Sequence, residues 1–153
     1  MREIKFRAKT SSKVNGFNRK KDGIWVYGFY IDKLGLPVIS EFDTTVANYI
    51  DYEIDISTLS QYTGLKDVNG VEIYEGDIVN AHYFFENHDP HTLGAFEDED
   101  EITGKIVFDL GGFRILDKDS AERELPLSMI QEPVEELEVL GNIYDNTELL
   151  EGL

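Results

Sequence analysis

The chain contains no cysteine. That excludes a disulfide framework, a thiolate metal site and a cysteine nucleophile, and it suits a reducing compartment. Lysine and arginine are scarce, 14 against 31 aspartates and glutamates, for a net charge of −17. Long apolar runs are missing too. The longest, "IWVYGFYI", is far shorter than the ~20 residues a membrane-spanning helix needs. The opening "MREIKFRAKT" is charged throughout and lacks the apolar centre of a signal peptide. A cytoplasmic protein is the expectation. What is present is apolar enough to fold: 41% of the 153 residues are hydrophobic and 12% aromatic. A chain of this length buries roughly 68–70% of its unfolded surface as one domain. A single domain over 1–153 is therefore expected.

The charge is segregated along the chain. Residues 1–40 hold nine Lys/Arg against three Asp/Glu, and the remainder holds five against twenty-eight. An acidic body of this kind attracts basic partners. A compact basic patch can still act locally, because the Debye length is near ~8 Å at physiological salt.

Alternation dominates the patterning. Ile4, Phe6 and Ala8 alternate with charged residues, the period of a half-buried strand. Trp25, Tyr27, Phe29 and Ile31 share one face of a second strand, and Gly28 on the other face signals a bulge or a close backbone approach. "SQYTGLKDVNGVEIYEGDIV" (Ser60–Val79) carries Asn69-Gly70, a strong hairpin signal, which predicts a type I′ turn pairing Leu65–Val68 with Val71–Tyr74. Glu75-Gly76 gives a second reversal, after which Val79, Ala81, Tyr83 and Phe85 share a face. Further on, "GKIVFDLGGFRIL" reads as a hairpin around Gly111-Gly112. Pro126 leaves room for only a short helix after Ser120, and Asn146 or Thr147 starts a helical turn. The predicted core includes Ile4, Phe6, Trp25, Tyr27, Val79, Ala81, Phe108 and Phe113. Residues 86–103, "ENHDPHTLGAFEDEDEIT", read as an enlarged acidic loop.

The segments "REIKFRA", "WVYGF", "QYTGLKDVNGVEIYEGDIV" and "LGNIYDNTELL" occur in the order found in the YopX-like family of phage and prophage proteins, which the chain resembles at both ends and in the middle. The resemblance implies a mostly β protein with a barrel-like core, and it carries over no catalytic residue. Together with the hairpin pattern, it leads us to expect a mostly β, single-domain fold. Antiparallel hairpins would form an SH3-like or half-open barrel core with one or two short helices.

Catalytic signatures are missing: no G-x-G-x-x-G, P-loop, H-E-x-x-H or G-x-S-x-G motif occurs. His82, His88 and His91 lie close in sequence with Glu86 and Asp89, a donor set that suits a divalent metal. Pro90 and Gly94 mark a loop there, which favours a solvated polar segment over a metal site. No cofactor is expected. The function that fits best is a non-catalytic phage accessory module working by protein–protein contact through its acidic surface, with a basic host or phage protein as partner. One alternative is a nucleic-acid-binding barrel using Lys5, Arg7, Lys9, Arg19, Lys20 and Lys21 beside Trp25, where cations track phosphate and the ring stacks a base. Another is a metal-dependent enzyme built on the histidine region. Open sheets leave edge strands that pair with other chains, so a homo-oligomer is expected, with the N-terminal strand as the pairing edge.

Overall fold

The computed structural model describes residues 3–12, 20–129 and 136–151. The fold is mostly β, with two antiparallel sheets, and among the described residues the helical elements are short 3-10 turns. The chain divides into two compact units, residues 1–64 and 65–153.

The first unit is built from β1 (Phe6–Lys9), β2 (Trp25–Lys33), β3 (Leu36–Asp43), β4 (Asn48–Glu53) and most of β5 (Ser60–Lys66). The order across the sheet is β4-β3-β2-β1-β5, with β6 (Glu72–Tyr74) next to β5. The sheet curls so far that the ends of β1 and β4 meet. Thr10 bridges Ile54, the Ser11 N–H donates to the Glu53 carbonyl at 2.9 Å, and the Asp55 N–H donates to the Lys9 carbonyl at 2.9 Å. This is a half-open curl joined at one point, not a closed barrel. Inside it lie Ala8, Val26, Ile39, Tyr52 and Ile54, with Phe6, Tyr30, Ile50 and Leu59 packed against them.

Three sequence expectations are corrected here. Trp25, Tyr27, Phe29 and Ile31 do share a face, but it is the outer one. Tyr27 is 41% exposed, whereas Val26 is fully buried on the inner face. Gly28 sits on that inner face because the strands approach too closely for a side chain: a Cβ there would lie 2.0 Å from the Ser40 carbonyl oxygen. The N-terminal strand is not an edge either. β1 pairs with β2 on one side and β5 on the other. Ile4 precedes the first paired residue, Phe6, and is exposed.

The second unit contains β7 (Asp77–His88), β8 (Ala95–Asp109), β9 (Gly112–Asp117), β10 (Glu124–Pro126) and β11 (Leu137–Asn142), in the order β10-β9-β8-β7-β11. Its core gathers Ile73, Val79, Ala81, Ile102, Ile106, Ile115, Leu125, Leu127 and Leu137. Phe113 packs against this cluster. Phe108, expected inside, is 48% exposed at the end of β8, its ring edge-on to Phe113 at 4.9 Å.

The hairpin before β6 turns where the sequence places it, with a different geometry. Gly70 has φ +79° but Asn69 is not left-handed, so the turn is not type I′. The Gly70 N–H donates to the Asp67 carbonyl at 3.0 Å. The Asp67 carboxylate organises the rest, accepting from the N–H groups of Asn69 and Val71 at 2.8 Å and from that of Val139 at 3.0 Å. The type I′ pattern of two left-handed central residues falls instead at Leu34-Gly35 (φ 55° and 89°) and at Leu110-Gly111 (φ 47° and 81°), the latter one residue before the expected Gly111-Gly112.

Residues 86–103 are not a loop. β7 and β8 stay in register from Ile78↔Lys105 out to His88↔Ala95, leaving only 89–94 as the turn. The Asp89 side chain holds that turn through the His91 N–H at 2.8 Å. The C-terminal 3-10 turn, Thr147–Leu149, is preceded by Asn146 as expected. After Ser120 there is a turn, then β10 and a 3-10 turn at Leu127–Met129. No helix among the described residues is long and apolar enough to cross a membrane.

Candidate functional site

Two surfaces, one on each unit, gather the candidate residues. On the first unit, antiparallel register sets Arg7 opposite Tyr27 and Lys9 opposite Trp25, so all four side chains leave the sheet on its outer face. The Arg7 guanidinium lies 4.7 Å from the Trp25 ring centre and the Lys9 ammonium 5.5 Å, both within cation–π range. Lys5 lies over the Tyr62 ring at 5.2 Å. Further along the same face Tyr49 packs against Phe29 at 5.8 Å and against Phe42 at 5.3 Å, and all three rings are about half exposed. Arg7 itself is buried at 7% exposure, which makes it a support for Trp25 rather than a group that reaches a phosphate.

The remaining basic candidates are elsewhere. Lys20 is bound to Glu41 at 2.8 Å and lies over the Tyr52 ring at 5.0 Å, on the side of the inner cluster. The Glu41 hydrogen bond, followed by its charge, raises the Lys20 pKa. Lys21 is exposed, and its backbone carbonyl accepts from the Thr10 hydroxyl at 2.6 Å. Arg19 lies outside the described residues.

On the second unit the site is a two-stranded arm. β11 leaves β7 at Leu137↔Ala81 and β9 leaves β8 at Asp117↔Gly104, so beyond those points only the β7–β8 pair continues among the described residues. Residues 82–101 hold seven Asp/Glu and no Lys or Arg. One face of the arm carries His82, Phe84, Glu86 and His88 beside Glu101, Glu99, Glu97 and Ala95. The other carries Tyr83, Phe85 and Asn87 beside Asp100, Asp98 and Phe96. Phe84, Phe85 and Phe96 are exposed.

The root of the arm is fastened by charge on both faces. The His82 ring reaches Glu99 through Nε2 at 3.0 Å and Glu136 through Nδ1 at 3.2 Å. Both ring nitrogens can donate only in the imidazolium form. Hydrogen bonding to Glu136, with the charges of Glu136 and Glu99, raises the His82 pKa above its usual value. On the other face Arg123 reaches Asp117 at 2.8 Å, Asp100 at 2.7 Å and the Glu101 carbonyl at 2.8 Å. The Glu101 N–H, with help from Arg123, holds the Asp100 carboxyl below the usual carboxylate range.

The three histidines do not converge. His82 and His88 are six residues apart on one strand, roughly 20 Å, and His91 is in the turn. The two nitrogens of His82 point to separate carboxylates, and no group of three His, Asp or Glu placed so that it could hold a metal ion occurs among the described residues. Glu136 and Arg123 were invisible as site residues in the sequence, because each reaches the arm across a long chain separation and neither belongs to a motif.

The fold and these surfaces define a class: a mostly β protein with two open antiparallel sheets, presenting side chains on strand faces and edges. The chain belongs to the YopX protein family, whose model matches residues 5–151. No curated protein matches the sequence.

Proposed function

We propose that the chain is a non-catalytic binding module, a phage or prophage accessory protein of the host cytoplasm. It acts by protein–protein contact, with the acidic arm as its contact element and a basic protein as its partner. The observation that carries this reading is the arm itself. A two-stranded hairpin is marginal by itself, and this one places six carboxylates, with Asp89 a seventh in the turn, and three exposed phenylalanines on strands that bury little. Such a surface supplies both long-range attraction for cations and an apolar contact once docked.

A labelled peptide of alternating lysine and valine tests the reading by fluorescence anisotropy. Binding should weaken as salt rises, and the triple variant Glu86→Gln, Glu97→Gln, Glu99→Gln should lower affinity by about tenfold. Affinity unchanged in that variant would refute the arm as the contact element. The cation–π group Arg7–Trp25–Lys9 favours a second reading, single-stranded nucleic acid on the outer face of the first unit. Binding of an oligonucleotide in the same assay, lost in Trp25→Ala and kept in the arm variant, would select it.

A further inference from the structure

The arm has two edges, and they are not alike. The His82 N–H donates to the Glu136 carbonyl, away from β8. Antiparallel geometry then turns the N–H and C=O groups of Phe84, Glu86 and His88 toward that same outer side. On β8 the outward groups are those of Glu97, Glu99 and Glu101. Three of these six β8 groups are closed by side chains: Asp98 accepts from the Glu99 N–H at 2.9 Å, Asp100 accepts from the Glu101 N–H at 2.8 Å, and Arg123 caps the Glu101 carbonyl. The β7 edge has one such closure, Asn87 accepting from the His88 N–H at 2.9 Å. The N–H groups of Phe84 and Glu86 meet no acceptor among the described residues.

We propose that the β7 edge at Phe84–Glu86 takes up an extended segment of a basic partner as an added strand. This deepens the arm-contact reading and rests on it. An incoming strand in antiparallel or parallel register would bond the Phe84 and Glu86 backbone. Its side chains would alternate between the two faces of the arm. On one face they meet Glu86, with Glu97 and Glu99 a strand further in, and on the other Phe85, with Asp98 and Phe96 behind it. Carboxylates stand on both faces, so charge complementarity selects lysine and arginine in the added segment, with apolar residues placed to reach Phe84 and Phe85. A second copy of the chain is a poor occupant, because its arm would bring seven more carboxylates against these.

Glu86→Pro and Glu86→Gln separate edge from charge. Both remove the same carboxylate, but only proline removes the outward N–H, which makes no bond to β8 and whose loss an edge strand tolerates. Melting curves verify that both variants fold. The alternating lysine–valine peptide should bind Glu86→Pro about tenfold more weakly than Glu86→Gln. In the wild-type chain its binding should slow hydrogen exchange at the Phe84 and Glu86 amides. Equal affinities of the two variants, with binding retained and these amides exchanging at their free rates, would overturn strand addition while leaving the acidic contact standing. No peptide binding to the wild-type chain would overturn both. Protection of the same amides that grows with protein concentration, without peptide, would replace the basic partner by a second copy.

Discussion

A Cβ built on Gly28 would stand 2.0 Å from the Ser40 carbonyl oxygen, and one built on Gly70 would meet nothing within 4 Å. These two glycines are required for different reasons, contact at Gly28 and backbone conformation at Gly70, where φ is +79°. A β-branched residue in that region is strained by about 1–3 kcal/mol. Gly70→Val should therefore lose that much in a urea melt. Gly112→Ala, at a site with neither a left-handed φ nor a neighbour within 4 Å, should stay within about 0.5 kcal/mol of the parent. Coincident midpoints for the two variants would mean that the turn tolerates a side chain at Gly70. The sequence pair Asn69-Gly70 located this turn correctly and misjudged its form. The reason is Asp67, which lies outside the pair. Its carboxylate gathers three N–H groups, one of them from Val139. A turn set by a contact of that range cannot be read from its two central residues.

At the scale of elements, period 2 identified strands reliably and faces less so. On β7 the face of Val79 and Ala81 is buried as expected. On β2 the more apolar face is the exposed one: its inner face packs Val26 and Tyr30 with the cluster, and between them Gly28 stands where a Cβ would meet the Ser40 carbonyl oxygen. Most of the arm was hidden for another reason: the alternation that marks a strand stops at Phe85, and "EDEDE" has none, so nothing in residues 86–103 marks a strand. What makes it one is register with the opposite chain segment. The same pairing brings His82 between Glu99 and Glu136, with Glu101 opposite it and Glu138 further along β11. Those groups are all acidic, and the cation at the root of the arm, Arg123, is engaged with Asp100, Asp117 and the Glu101 carbonyl. His82 therefore has a raised pKa when folded. Its contribution to stability is fully present below the unfolded value of about 6.5 and is lost as pH rises through the folded value. Proton NMR titration should show a histidine resonance that titrates above the usual value of about 6.5 and is absent in His82→Asn. Its pKa should move down in Glu136→Gln and on adding salt, since the pair is solvent-accessible. A His82 resonance titrating at or below about 6.5 would remove the charged fastening.

The whole molecule is charged very unequally. The first unit holds nine Lys/Arg against eight Asp/Glu, a net of +1, and the second holds five against twenty-three, a net of −18. Open sheets with free edges favour self-association, and this charge opposes it wherever the acidic unit takes part. The two tendencies respond to salt in opposite directions to the proposed partner contact. Screening shortens the Debye length from ~30 Å at 0.01 M to ~10 Å at 0.1 M, relieving repulsion between copies and weakening attraction for a cationic strand. Sedimentation velocity on the full chain should show a weight-average mass that rises with sodium chloride. Anisotropy with the lysine–valine peptide should show affinity that falls over the same range. A self-association that salt dissolves would place the contact between copies on oppositely charged surfaces instead, with the outer face that carries Lys9 beside Trp25 as the cationic surface to test by Lys9→Gln.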